Sequence, residues 1–289
     1  MVSPTDRDTS RVSGLLHDFS LEITGKDVGD LQKAAAGVPQ GTRVNVTFLA
    51  NEQTSVRVRA AEVIKGLGFR PVPHISARRL TSRDELDRYL SALAEIGATE
   101  DVVVIAGDPA HPAGPFADSL AVIASGALTE YGVRSVDIAG YPEGHPKIHE
   151  DVLWRAVEEK TDALRARGLD YSVATQFVFD AATVVRWIEQ LRGRGIDGPV
   201  RIGVPGPAGV QRLLRYAKRF GVSSSASVVQ KYGFSLTGLL GTAGPARFIA
   251  DLQSAIDPAL HGEILLHFYT FGGVRATAEW VRTALSGEE

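Results

Sequence analysis

Cysteine is absent from all 289 residues. That excludes disulfides, thiolate nucleophiles and Cys-based metal or iron–sulfur sites, and it fits a reducing, cytoplasmic location. Charge of one sign is also lacking. The 31 basic and 34 acidic residues leave a formal net charge of −3, so nothing points to a nucleic-acid partner. No apolar run approaches the ~18 residues that a membrane span requires. The opening MVSPTDRDTSRVSG has no apolar h-region and does not read as a secretory signal, and residues 1–14 are expected to form a flexible tail. The Gly-rich stretches GPAG (Gly206 to Gly209) and GTAGP (Gly241 to Pro245) form neither a GxGxxG after a strand nor a P-loop. GPAG keeps backbone N–H groups for an anion at a helix start. No G-x-S-x-G elbow marks a serine hydrolase. His145 and His149 stand at i, i+4, but Pro146 lies between them and no third ligand is evident, so no metal site is expected.

What the chain does have is alternation. Short β-branched runs recur, each followed by a longer segment of helical periodicity. The runs are Phe19 to Thr24, Arg43 to Leu49, Pro71 to Ser76, Asp101 to Asp108, Ser135 to Pro142, Tyr171 to Phe179, Val200 to Gly206 and Glu263 to Phe271. After the second run, Val56, Ala60, Val63, Ile64 and Leu67 mark one helix face. Ser82 reads as an N-cap with Glu85 completing a capping box, and Asp180 as another N-cap of a helix closing on Gly193 or Gly195. Repeated strand–helix units argue for parallel βαβ pairing, and eight of them for a closed (β/α)8 TIM barrel. The rival is an open doubly wound sheet. Residues 15–289 are expected to be one catalytic domain, with an extra helical segment or two between Ser223 and Pro258, ahead of the eighth strand. At 44% hydrophobic and 22% charged, the composition can fill such a core.

In such a barrel the chemistry sits where strands end and βα loops begin. Glu22, Thr47, His74, Asp108, Tyr141 and Gln176 fall within or at the ends of the first six runs, with Glu143 and His145 just beyond the fifth. Each alone has a plain structural explanation. A lone strand histidine is more often a satisfied core residue than a catalyst, and a lone strand glutamate usually faces solvent at an edge. A closed barrel has no edge. Glu22 must then be paired, protonated or functional.

At these residues the chain resembles the methylenetetrahydrofolate reductases, from about Phe19 to Val281. The patches are VNVTF, PHIS, AGDP, GYPEGHP, ATQFVFD and HFYTF, of which YPEGHP and TQFVFD are the most specific. The resemblance implies a (β/α)8 barrel that reduces 5,10-methylenetetrahydrofolate to 5-methyltetrahydrofolate, with FAD carrying hydride from NADH or NADPH. It implies Glu22 as the general acid, with a raised pKa, and Asp108 as the charge beside flavin and pterin. It implies Gln176 as the amide that reads the pterin. Tyr216 and Arg275 would contact substrate, and Thr47, His74, Ala106, Gly107, Asp108, Tyr141, His145 and Lys160 would hold the flavin. For Lys160 a solvated helix face is the competing reading. The chain departs from the family pattern at Ala106, where an arginine is common, in the helix after GYPEGHP, and at Gly272 and Gly273, where the family has Asn-Arg. Two alternatives therefore stay open: a flavin-free reductase with direct hydride transfer from NAD(P)H, and a folate- or flavin-binding subunit of a methyl-transfer system. Homo-oligomerisation is also open.

Overall fold

A computed structural model describes residues 13–49, 52–220 and 242–286. Eight parallel strands close a barrel in the order β1 (Ser20–Ile23), β10 (Ile264–Tyr269), β7 (Val200–Pro205), β6 (Asp170–Phe177), β5 (Ser135–Gly140), β4 (Asp101–Ile105), β3 (Arg70–Ser76) and β2 (Arg43–Val46). The remaining two-residue strands, β8 (Ala208–Gly209) and β9 (Thr242–Ala243), pair antiparallel beside the mouth. Every expected run supplies a barrel strand, and closure removes the open-sheet alternative. The strands stop one to three residues short of the expected ends at Thr24, Leu49, Asp108, Pro142, Phe179, Gly206 and Phe271. Beyond β6 and β10, Phe179 and Phe271 join Phe177 and Tyr269 in an aromatic cluster instead of extending the ladder.

The helices are α1 (Val28–Ala34), α2 (Thr54–Gly66), α3 (Arg83–Glu95), α4 (Ser119–Ala124), α5 (Ala127–Glu130), α6 (Glu150–Arg165), α7 (Ala181–Gly193), α8 (Val210–Phe220), α9 (Ala246–Ala255), α10 (Pro258–His261) and α11 (Val274–Ser286). The main apolar core lies between this helical ring and the outward faces of the strands, from Leu21, Val44 and Ile75 round to Phe268. Of the segment expected to hold extra helices, α9 and the start of α10 are seen, and residues 223–241 lie outside the described residues. Residues 1–12 of the expected tail also lie outside them, whereas Ser13 and Gly14 open a 3-10 turn that buries Leu15 and Leu16.

Local signals held with two adjustments. Asp180 caps α7 by accepting from Ala182 N. Ser82 caps α3, but Glu85 accepts from Thr81 N at 2.7 Å and Thr81 Oγ1 at 2.6 Å, so the reciprocal half of the capping box has slipped one residue upstream. The buried face of α2 is Arg57, Ala60, Ala61 and Ile64, while Val56 is exposed. The face is rotated because Arg57 has work inside: its guanidinium lies 4.4 Å from the Phe48 ring centroid and 4.5 Å from that of Tyr89.

Candidate active site

Side chains of alternate strand residues fill the barrel lumen in layers. At the strands' C-terminal ends those layers are polar. Glu22, near the end of β1, stands between two imidazoles. His74 Nε2 from β3 is 3.7 Å from Glu22 Oε2, and His267 Nε2 from β10 is 3.6 Å away. Both histidines are buried. His267 is anchored from behind, with Nδ1 2.8 Å from Ser20 Oγ. His74 has no hydrogen-bond partner at either ring nitrogen among the described residues. Only its backbone carbonyl is held, by Arg57 Nη1 at 3.2 Å.

The electrostatics correct one expectation. Burial alone pushes the Glu22 carboxyl up, but His267 and His74 outweigh it and the net shift is downward. Glu22 is therefore ionised in the resting site at neutral pH. The expectation of a raised pKa failed because the second imidazole comes from the far end of the chain. Burial pulls His74 down to about 4, against the opposing pull of Glu22, so it stays neutral. Burial, then the Glu22 charge, push the Tyr269 phenol well above its usual value.

Beside this cluster lies an aromatic platform. The Tyr216 ring, from α8, stacks on Phe271 with centroids 4.0 Å apart and planes 8° from parallel. Phe177 meets Phe271 edge-on at 5.0 Å, and Tyr269 links the platform to His267, whose ring lies 5.0 Å away. Gln176 sits where the β6–β7 register shifts between Ala174 and Phe177, and Gly203 N there donates to Thr175 Oγ1 at 2.8 Å. Such a bulge re-aims side chains at a barrel rim. Gly272 follows the platform because a Cβ there would lie 1.7 Å from Pro207 O. The close approach of two loops, rather than a lost ligand, accounts for glycine at that departure from the family pattern.

The residues expected at a flavin stand on several elements, with Tyr141 close enough to Asp108 and Tyr269 for their charges to act on one another. Thr47 N joins β1 through Ile23 O at 2.9 Å, at the mouth. Ala106 and Gly107 form the turn after β4, where Gly107 has φ +90° and a Cβ would meet Ser76 Oγ at 2.1 Å. Asp108 is exposed, with Arg79 Nη2 3.8 Å away. His74 faces Glu22 inside the lumen. Tyr141 and His145, ring to ring at 5.4 Å, line a side cavity of about 640 Å³ between α6 and α7 with Trp154, Arg186 and Trp187. Lys160 is buried in the packing of α6, where burial lowers its ammonium to about 8 against the pull of Asp118. Its solvated-helix-face reading is thereby corrected.

Arg275, expected near the substrate, is exposed and pairs with Glu279 at 2.7 Å one turn along α11. Arg212, not singled out in the sequence, supplies a cation at the rim and donates to Phe271 O at 2.9 Å. His267 and Ser20 were also missed. The available signal was period two, since Leu265, His267 and Tyr269 share the lumen side of one strand.

Among the described residues no group of three or more His, Asp or Glu side chains is placed to hold a metal ion, and no helix is long and apolar enough to cross a membrane. In solved structures the chain is similar to dihydropteroate synthase from Thermus thermophilus, with 14% identity, TM-score 0.48 and 91% of each chain covered. It is also similar to deoxyribose phosphate aldolase from Aeropyrum pernix, with 15% identity, TM-score 0.49 and coverage of 96% and 98%. Neither likeness bears on function. Among curated proteins it is 27% identical over 181 residues to a 5,10-methylenetetrahydrofolate reductase of Pectobacterium carotovorum subsp. carotovorum. That match covers 60% of this chain and 57% of the relative, little more than half its length. The methylenetetrahydrofolate reductase family model matches residues 28–279. With that match spanning most of the barrel, the chain belongs to the methylenetetrahydrofolate reductase family.

Proposed function

We propose that residues 15–289 act as one catalytic unit that reduces 5,10-methylenetetrahydrofolate to 5-methyltetrahydrofolate, with NAD(P)H as the hydride source. The observation that carries this reading is Glu22, a lumen carboxylate between two imidazoles, next to a flat aromatic platform. The reaction needs both parts. A proton on one bridging nitrogen opens the folate's five-membered ring to an iminium, and hydride then adds to the exposed carbon. Net, one NAD(P)H and one proton are consumed. Glu22 is the proton donor. Tyr216 and Phe271 offer stacking faces for flat rings, and Gln176 offers the paired donor and acceptor that a pterin edge requires. Asp108 acts at the rim as a solvent-screened charge that favours the cationic iminium.

The hydride route is either through FAD or direct. FAD would need one cradle that takes both its ring and its diphosphate. The residues expected to form it are divided among the lumen (His74), the rim (Thr47, Ala106, Gly107, Asp108), a side cavity (Tyr141, His145) and the buried packing of α6 (Lys160). The loop after β4 is also pinned down over the end of β3. Arg78 Nε donates to Ala117 O at 2.7 Å, and Ala113 N to Arg78 O at 2.9 Å. Alanine stands at Ala106 in place of the family's arginine and Lys160 is buried, so the two cations expected for the diphosphate are not presented, which favours direct transfer from NAD(P)H to the folate. The test is the visible spectrum of the purified protein before and after addition of FAD and desalting, followed by NAD(P)H oxidation with the folate. Turnover without a flavin band supports the direct route. A band that bleaches with NAD(P)H and recovers with the folate overturns it. A binding subunit would turn over neither way.

A further inference from the structure

The two imidazoles beside Glu22 are at nearly the same distance but are not equivalent. His267 has Ser20 Oγ 2.8 Å behind Nδ1, and Ser20 is itself fully buried. A hydroxyl both donates and accepts. With its own proton directed at Leu266 O, 3.5 Å away, Ser20 Oγ accepts from Nδ1–H whether or not Nε2 carries a proton. His74 has no such partner at either nitrogen among the described residues. One ring is thus equipped for two protonation states and the other for one.

Resting on the reductase reading, we propose that His267, oriented by Ser20, is a positioning residue that stores the catalytic proton for Glu22, so that the carboxylate and imidazole together are the acid of the site. In the resting pair the transferable proton lies on Nε2 of a protonated His267, facing the Glu22 carboxylate, while the second ring proton, on Nδ1, is donated to Ser20 Oγ. The 3.6 Å gap closes to hydrogen-bond length with a small side-chain rotation. When the folate covers the mouth, the Nε2 proton moves to Glu22 Oε2, leaving neutral His267 with its remaining proton on Nδ1, donated to Ser20 Oγ. Glu22 then gives that proton to the bridging nitrogen as its bond to the methylene carbon breaks. Hydride from NAD(P)H reduces the carbon. One solvent proton reloads the pair after product leaves, which matches the one proton consumed per turnover. This arrangement explains how a carboxyl that is ionised at rest still serves as an acid.

The charged and titratable groups around the pair are His74 on β3 and Tyr269 on β10, with Asp137 on β5 and Arg57 on α2 acting on His74. Tyr141, at the end of β5, acts on Tyr269. Of these, His74 and Tyr269 hold one protonation state across neutral pH.

The test uses the full chain in two arms. In the first, His267→Gln lowers kcat by about 100-fold, with a much smaller change in KM, and moves the alkaline limb of the kcat profile to lower pH. Ser20→Ala moves the same limb in the same direction by less. An unmoved limb with kcat within about threefold of the parent overturns the proposal. The second arm needs no turnover. Ring-nitrogen NMR at one neutral pH compares His267 in the parent protein and in Glu22→Gln. The proposal expects the Nε2 resonance that faces the carboxylate to shift when the carboxylate is removed, with Nδ1, held by Ser20, little changed. An unchanged Nε2 resonance overturns it. If the parent protein reduces no folate but the NMR shift is present, the reductase reading has failed and the proton pair has not.

Discussion

The two ends of the barrel lumen are built from similar residues to opposite effect. At the foot, Arg43 pairs through Nη1 with Asp101 and through Nη2 with Asp137 at 2.9 Å. Arg70 reaches Asp101 at 2.8 Å, Ser172 donates to Asp137 at 2.6 Å, and Arg201 reaches Asp18 at 3.2 Å. Nearly every charge there meets an opposite charge at hydrogen-bond distance. Burial pushes Asp137 up, and Arg43, Arg201 and Ser172 more than reverse it, which fixes the carboxylate ionised. At the mouth, Glu22 meets its imidazoles at 3.6 and 3.7 Å, and the His74 ring nitrogens and Asn45 Oδ1 have no hydrogen-bond partner among the described residues. Arg43 Nε and Arg201 Nε at the foot also lack a partner among the described residues, so the difference lies in the charges: the foot's carboxylates are held at hydrogen-bond distance, whereas the mouth's carboxylate is not, which leaves it free to engage a ligand. The foot holds the barrel closed and the mouth is left ready for chemistry.

That contrast is sharpest under substitution. Glu22→Gln should lower kcat by about 10² to 10⁴-fold while leaving the melting transition and folate affinity close to the parent's. Steady-state NAD(P)H oxidation beside a folate titration checks it, and unchanged turnover removes Glu22 from the chemistry. Asp137→Ala should do the reverse. It takes from the buried Arg43 one of its two carboxylates and from Ser172 its acceptor, and costs about 3–5 kcal/mol of stability, read by urea unfolding, with kcat per folded molecule retained. Equal damage to both properties in both variants would erase the distinction between the ends.

Acid should tell the ends apart more gently. The folded pKa of His74, about 4, lies below its unfolded 6.5, so the unfolded chain binds the extra proton first. Its contribution to stability is whole above pH 6.5 and declines as pH falls toward 4. Between pH 7 and pH 5 the loss is about 2 kcal/mol. His74→Gln should flatten that part of the urea-derived stability profile, and an unaltered slope would reassign it. The smallest effect should come from Tyr216→Ala, which removes the stacked ring over Phe271. A rise in KM of about three- to tenfold, with kcat little changed, matches a face worth about 0.5–1.5 kcal/mol.

The fold was legible because a barrel repeats one local pattern. Runs such as Asp101 to Ile105 and Val200 to Pro205 are apolar and β-branched, and Asp180 announces the helix after β6. Strand ends were less legible, since Leu49 and Phe271 are as apolar as the strands they follow. Candidate site residues were legible one strand at a time: Glu22, His74 and Tyr216 all stand at the mouth. What one strand cannot reveal is its neighbour. His267 lies 245 positions from Glu22 in sequence, and its arrival reverses the expected shift of the carboxyl. The foot was unread for the same reason, since Arg43, Asp101, Asp137 and Arg201 are ordinary charges until four strands bring them together. Arg275 shows the converse: resemblance supplied the residue type, but the local helix gave its guanidinium to Glu279.

The most direct test of the account follows a deuterium label. The full chain, without added FAD, is given 5,10-methylenetetrahydrofolate and NADH or NADPH carrying deuterium at the transferable position of the nicotinamide. The account predicts one NAD(P)H oxidised per folate reduced, with one deuterium in the product methyl group. No reduction of the folate would contradict the proposed activity. Reduction that requires FAD, with the label lost to solvent, would contradict the direct route.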